Sequence, residues 1–337
     1  MDVDNINPTA VEPTPDGWTA TQTRSPLMPD ALLGVALLLA WRFIGIRFMR
    51  DGAVQSEWIP LLLGGVLPTL FILLYPLWAI RRAGGRVFGG WPGWTGLLLE
   101  TAIAFGVLIV VQTINVLLAA TYIGVTGEKP GVPEQFQDLA LGGSFAALLF
   151  MALMACLWAP IAEELFFRRF VMRAFAGRLH LAAAIGLQAF VFAIVHDYGG
   201  LHLGAIFVLG LAMGGVYAWR RTILTSMILH MLQNTIAMSI VGAVMFINRF
   251  TPPLGVMGDA QPDGFHVVSV QPESSAAVAG LQAGDIIKDV EDAPVEDALT
   301  LRVMYWAAGL DGKAELTIKR GDETIDISVR PQAATAK

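Results

Sequence analysis

The 337-residue sequence predicts a multi-pass α-helical membrane bundle of about seven spans, followed by a small α+β domain. Three observations carry this. Hydrophobic residues make up 55% of the chain and charged residues 15%, whereas an average soluble domain carries about 25% charged residues. The apolar residues gather in runs long enough to cross a bilayer, and these runs stop near residue 250. The charge changes at the same place: Met1–Arg249 holds 15 Arg and Lys against 14 Asp and Glu, and Thr251–Lys337 holds 7 against 14. The net charge of −6 therefore belongs to the last, least apolar part of the chain. Neither part has the basic excess that nucleic-acid binding requires, so no nucleic-acid partner is expected. The one cysteine, Cys156, excludes an intrachain disulfide and a cysteine-rich metal site, and reads as a small buried hydrophobe.

The elements follow in order. Residues 1–29 are rich in Pro, Thr and Asp without apolar periodicity, and read as a disordered tail. No basic region precedes an early apolar stretch, so a cleaved signal peptide is not expected. A span needs about 20 mostly apolar residues. Residues 30–249 offer Ala31–Met49, Trp58–Ile80, Gly96–Ala120, Ser144–Ala159, Leu181–His196, Leu203–Trp219 and Ile223–Ile247. Pro160 fits the first turn of a helix that begins at the end of the fourth run. Arginines concentrate in alternate links: Arg81, Arg82 and Arg86, then Arg168, Arg169, Arg173 and Arg178, then Arg220 and Arg221. The positive-inside rule puts those links and the N-terminus in the cytoplasm, and with seven spans the acidic C-terminal domain lies outside.

Charges within the apolar region carry the chemistry. A charged side chain at the bilayer centre costs about 2.5–3.5 kcal/mol on insertion scales, so the stretch PIAEELFFRRF at Pro160–Phe170 needs a reason. Glu164 and Arg168 are four residues apart with the glutamate first, the favourable order for a helical ion pair. Glu163 projects in another direction and stays free. His196 follows Phe192 by four residues and shares its helix face. The link around Gly177–His180 makes the two helices antiparallel. Glu163 and His196 each lie roughly 24 Å from that turn at 1.5 Å per residue, which brings them level. His230 and Asn234 share a face of the last span.

These residue types fit two chemistries. A desolvated glutamate can be the general base for water, with imidazole and amide groups stabilising a developing oxyanion; that requires no metal. Alternatively Glu163, His196 and His230 form a His₂Glu set of the kind that holds catalytic zinc. The zinc-protease motif H-E-x-x-H is absent, and the residues leave both chemistries open.

EELFFR (Glu163–Arg168), FAIVH (Phe192–His196) and HMLQN (His230–Asn234), in this order and each on an apolar segment, resemble the CPBP family. This family of CaaX proteases and bacteriocin-processing proteins consists of intramembrane proteases and includes the type II CaaX prenyl endopeptidases. The resemblance covers about 144–247. It implies Glu163 as base, His196 as partner of the water or metal, and His230 with Asn234 as oxyanion stabilisers. It also implies structural support from Glu164 and Arg168.

From Leu254 the pattern becomes short alternating or β-branched runs broken by Gly, Asp and Pro, which read as strands, with one stretch of helical spacing at VEDALTLRVMYWAAG. About 80 residues, 250–332, make one small domain before a short tail at 333–337. SSAAVAGLQAGDII (Ser274–Ile287) resembles the bacterial PDZ signature, and PLGV (Pro253–Val256) resembles the carboxylate-binding loop that opens such domains. The resemblance implies a groove that takes the C-terminal tails of proteins by strand addition along Leu254, Gly255, Val256 and Met257, facing a helix at Leu299–Ala308. Asp292-Ala293 replaces the usual Asn-Gly turn.

The expected protein is thus an intramembrane endopeptidase of the bacterial cytoplasmic membrane. It acts on membrane-associated or exported proteins, with the PDZ domain docking substrates or gating the site. The competing readings are an inactive membrane adaptor presenting the PDZ groove, and a proton-relay transporter, which leaves the PDZ domain without a task and lacks an internal repeat. His180, His202 and His266 are expected outside the site.

Overall fold

The computed structural model describes residues 27–45, 66–83, 92–127, 136, 139–140, 144–196, 200–250, 254–295, 297–309 and 312–330. The chain divides into two compact units, residues 1–130 with 151–236, and residues 131–150 with 237–337. The expected disordered tail lies outside the described residues up to residue 26.

The first part of the chain is helical. Helix α1 is Met28–Ala40, α2 Leu67–Arg82, α3 Gly93–Thr126, α4 Phe145–Ala176, α5 Leu181–Ile194, α6 Gly200–Arg220 and α7 Ile223–Phe250. Among the described residues, four helices are long and apolar enough to cross a bilayer: α3, α4, α6 and residues Ile223–Ile247 of α7. The expectation of about seven spans is therefore met for four. Helix α5 is apolar but has 14 residues, about 21 Å against a hydrocarbon core of roughly 30 Å. In the first two candidate segments the described helices have 13 and 16 residues, and residues 46–65 between them lie outside the description.

Helix α4 corrects the sequence at Pro160. The proline does not start a separate helix; it sits inside one rod in which Met154–Trp158 and Glu164–Met172 are π-helical. Proline cannot donate to the backbone ladder, and its ring crowds the carbonyl four residues back. The wider turn before it relieves both problems. π-turns within α-helices occur frequently at functional sites. The second π-segment begins at Glu164, and all nine of its residues are buried.

Phe166, Phe167 and Phe170 of that segment form the centre of the packing. Phe166 and Phe170 meet Phe71 and Tyr75 of α2, with ring centroids 5.8–6.5 Å apart. Phe167 stands edge-on to Phe192 of α5 at 5.1 Å. Helices α5 and α6 approach closely because α6 presents glycines. A Cβ on Gly210 would meet Ala189 at 3.1 Å, and one on Gly214 would meet Gln188 Nε2 at 2.6 Å. Gln188, fully buried, donates to the Gly210 carbonyl at 3.0 Å across that contact. Small residues at such crossings let dispersion and interhelical hydrogen bonds hold membrane helices together, where hydrophobic burial gains nothing against lipid. At the other end of α6, Arg220 donates to Glu100 of α3 at 2.8 Å, and Thr225 of α7 donates to the same carboxylate.

The C-terminal domain is an antiparallel sheet of β1 (Val256–Gln261), β2 (Gly264–Val270), β3 (Ile286–Val290), β4 (Ala293–Pro294), β5 (Ala314–Arg320) and β6 (Glu323–Val329). The order is β1-β2-β3-β5-β6, with β4 paired to β3, so β1 is an edge strand. Helices α8 (Ser275–Ala279) and α9 (Ala298–Gly309) accompany it. Ser274 caps α8 by accepting from the Ala277 N–H, and Gly280 ends the helix at φ +86°. The turn between β3 and β4 uses Glu291 and Asp292, both at positive φ. This is the double left-handed geometry that Asn-Gly usually supplies in a tight hairpin. The missing Asn-Gly thus changed the residues and not the turn. The core of the domain is Phe265, Val267, Ile287, Leu301, Tyr305, Leu316 and Ile318.

Candidate active site

Three helices bring the polar residues together. Glu163 and Glu164 lie at the junction where α4 passes from α- to π-helix. Phe192 is in the last turn of α5 and His196 just beyond it. His230 and Asn234 are on α7. The Glu163 carboxylate oxygen Oε2 lies 3.8 Å from His196 Nε2 and 3.7 Å from His230 Nε2. That oxygen is buried and makes no hydrogen bond within the protein. The antiparallel spacing that placed Glu163 level with His196 matches this geometry.

Glu164 does more than its spacing indicated. Its Oε1 lies 3.0 Å from Arg168 Nη1, the expected pair, with both side chains fully buried. The same oxygen lies 3.0 Å from His230 Nδ1. One imidazole is thus held between two successive glutamates, Glu164 at Nδ1 and Glu163 at Nε2. Sequence reasoning missed this contact. The available signal was the adjacency of the two acids, since neighbours on a helix diverge by only about 100° and can both address a third helix.

Both imidazoles are fixed at Nδ1 by a group that can only accept. His196 Nδ1 is 2.7 Å from the Phe192 carbonyl oxygen. A neutral His196 therefore carries its proton on Nδ1 and presents a lone pair at Nε2. His230 Nδ1, facing the Glu164 carboxylate, obeys the same rule. The Phe192 ring lies between the two, its centroid 4.6 Å from the His196 ring and 5.7 Å from the His230 ring. The Arg168 guanidinium sits 4.4 Å from the Phe192 centroid. Phe192 so acts as the wall that spaces the histidines and covers the buried cation.

Asn234 is placed differently from the other polar residues. Its Nδ2 donates to the Ala155 carbonyl at 2.7 Å. Ala155 belongs to the first π-segment, so this bond ties α7 to the widened turn before Pro160.

Glu163, His196 and His230 are chemically a zinc-type set. Ligand atoms around tetrahedral zinc at roughly 2.0–2.1 Å stand about 3.3 Å apart, closer than the 3.7 and 3.8 Å observed here. Among the described residues no group of His, Cys, Asp or Glu is arranged to hold a metal ion. As placed, the three residues do not fit a metal centre. The arrangement can poise a water beside a carboxylate and move protons between that carboxylate and two imidazoles.

In the C-terminal domain Leu254 is buried in the core, and its carbonyl accepts from the Ala276 N–H at 2.9 Å. Gly255 has φ +84°, and a side chain there would run into Ser274. Val256 opens β1, and Met257 is exposed on that edge strand. Pro253 lies outside the described residues. His180 caps α5 by accepting from the Ala182 N–H, His202 lies in α6, and His266 pairs with Asp263 on the surface of the domain.

Comparison with known proteins agrees with both halves. Residues 145–236 match the family described as type II CAAX prenyl endopeptidase Rce1-like. Residues 252–330 match the PDZ domain family. A stretch of 68 residues is 34% identical to the Synechocystis sp. protein named "Putative serine protease HhoA". That stretch is 20% of this chain and 17% of that protein, so the chain spans about a sixth of the relative it matches. The chain carries an Rce1-like CAAX protease domain, with a PDZ domain C-terminal to it.

Proposed function

We propose that this protein is an intramembrane endopeptidase that hydrolyses peptide bonds of membrane-associated or exported proteins with water activated by Glu163. One observation carries the reading: a buried, unpartnered carboxylate oxygen on one helix faces the Nε2 atoms of histidines from two other segments, at 3.7 and 3.8 Å. That oxygen is positioned to take a proton from a water held between it and the imidazoles. The scissile carbonyl carbon receives that water. The surrounding apolar side chains limit the water to what the reaction uses.

On this reading Asn234 contributes through α7, holding His230 in place by its bond to Ala155. The PDZ domain docks substrate tails: an extended peptide adds to the open edge of β1, and the loop at Leu254–Gly255 receives its terminal carboxylate on backbone N–H groups. The arginine distribution favours a cytoplasmic N-terminus and, with seven crossings, an extracytoplasmic PDZ domain.

The test replaces Glu163 by Gln, and His196 and His230 by Ala, and compares membrane proteomes of cells making each variant with wild type. Proteins cleaved only by wild type are the substrates. Full cleavage by all three variants would refute the assignment. A chelator is expected to leave cleavage by purified wild type unchanged; loss restored by zinc would replace this mechanism with a metal centre at the same residues.

A further inference from the structure

We propose that Gln233 holds the substrate backbone at the active site: its side-chain oxygen Oε1 accepts a hydrogen bond from one main-chain N–H beside the scissile bond. The proposal rests on the protease reading above. It adds a rule of substrate choice, since a proline at that position has no N–H to give.

Gln233 stands on α7, three residues after His230 and one before Asn234. Residues three apart on a helix are neighbours, with Cβ atoms about 5–6 Å apart. Gln233 therefore lies beside the imidazole whose Nε2 is 3.7 Å from the Glu163 carboxylate. Its Oε1 is buried and makes no hydrogen bond within the protein, although the residue as a whole is only half-buried. Ile236, three residues further on and on the same side of the helix, is 38% exposed. Gln233 thus marks the border between the polar site and the open, apolar side of α7. An extended segment that enters from the bilayer passes it before reaching His230.

A peptide in such a place brings its own N–H groups out of water, and each is costly to bury if it finds no acceptor. The carbonyls and carboxylate nearest the histidines are engaged. The Phe192 carbonyl meets His196 Nδ1, and the Ala155 carbonyl accepts from Asn234 Nδ2. Glu164 Oε1 is shared by Arg168 and His230, and that side chain is fully enclosed. Gln188 of α5 also has an unpartnered Oε1, but it is fully buried at the contact with α6. Glu163 Oε2 is kept for the water. Gln233 Oε1 remains as a buried acceptor with no partner and no task in the hydrolysis. A neutral amide oxygen suits the role, because it binds an N–H without acting as a base toward the water.

The test removes the donor and the acceptor in turn. Internally quenched peptides span the cleavage site of a substrate from the proteome comparison. In each, one backbone amide near the scissile bond is replaced by an ester, which keeps the shape and lacks the N–H; the scissile amide itself stays. For wild type, one position is expected to lower kcat/KM about tenfold or more, because that ester leaves Gln233 Oε1 unpaired. Gln233→Met keeps the length and removes the acceptor. It is expected to cleave the all-amide peptide about tenfold less well and to lose no more than about twofold further at that ester. Gln233→Leu is expected to behave alike. If the ester at the sensitive position still cost either variant its full tenfold, Gln233 would be a support of the fold only, and the proposal would be overturned. A wild type indifferent to every ester would overturn it too, and that result needs no folded variant. Absence of cleavage of the all-amide peptide by wild type would count against the protease reading itself.

Discussion

The helical unit and the PDZ domain each bury an acid that pairs with an arginine, and they treat it in opposite ways. In the PDZ domain Asp285 is 1% exposed. One of its oxygens accepts from Arg320 Nε at 2.7 Å, the other from Arg320 Nη2 and the Gln282 N–H, both at 2.8 Å. The same Nη2 donates to the Gly280 carbonyl and so ties the clamp to the end of α8. In the helical unit Glu164 and Arg168 are both fully buried, yet Glu164 Oε2 and the Arg168 Nε, Nη1 and Nη2 atoms make no well-directed hydrogen bonds. A pair that only supports a fold is satisfied, because each unpaired buried group costs about 1–3 kcal/mol. In the helical unit the Glu164 carboxylate is instead shared between Arg168 and His230 through one oxygen, at 3.0 Å each. The sheet domain thus satisfies a pair that its fold joins across 35 residues, while one helix supplies both members of the other, four residues apart.

The comparison can be broken at several points. The largest effect is expected from Glu163→Gln, which keeps the shape and removes the base. Cleavage should fall by about 10²–10⁴-fold, with hydrogen exchange of α4 and α5 unchanged; substantial residual turnover would mean that the unpaired oxygen is not the working one. Next is Arg168→Met, which leaves Glu164 charged and buried without its partner. A loss of about 3–5 kcal/mol in unfolding free energy is expected in detergent, against less than 1 kcal/mol if the pair were surface-like.

Asp285→Ala leaves the Gln282 N–H and Arg320 without their acceptor. It should lower the melting temperature of the C-terminal domain by roughly 5–10 °C, followed by hydrogen exchange in the full chain, with cleavage of substrates that do not need docking intact. The same carboxylate sets an acid limit. Burial pushes the Asp285 carboxyl up, but the Arg320 hydrogen bonds, the Gln282 N–H and the Arg320 charge together outweigh it and hold the group below the usual aspartate range. Its stabilisation is therefore complete above the ordinary aspartate value and is lost as pH falls through the depressed one. Acid unfolding of the domain should become less steep in Asp285→Asn. The smallest effect is Asn234→Ala, about 1 kcal/mol for the bond to Ala155, read as a modest rise in exchange of the Met154–Trp158 backbone.

Much of the site was legible in the letters, and the reason is helical regularity. A fixed rise per residue sufficed to bring Glu163 level with His196, and a spacing of four sufficed to pair Glu164 with Arg168. What spacing could not supply was the rotation of α7 against α4, and hence the Glu164–His230 contact. That rotation depends on the π-turns around Pro160, where the regular period fails. The same break hid the partner of Asn234, a carbonyl in the widened turn that leaves no mark in the sequence. In the C-terminal domain Asp292-Ala293 misled about the turn for a related reason. Positive φ at Glu291 and Asp292 is imposed by the flanking β3 and β4 pairing, against local preference.

The sequence by itself determined that the chain has an apolar helical part and an acidic sheet part, because composition and period are local properties written residue by residue. It also determined which polar residues had to turn inward, since lipid offers them no alternative. Only the tertiary structure decided which nitrogen of each histidine faces Glu163. That choice follows from the acceptor each Nδ1 meets, a carbonyl in one case and a carboxylate in the other, and such neighbours exist only once the helices have packed.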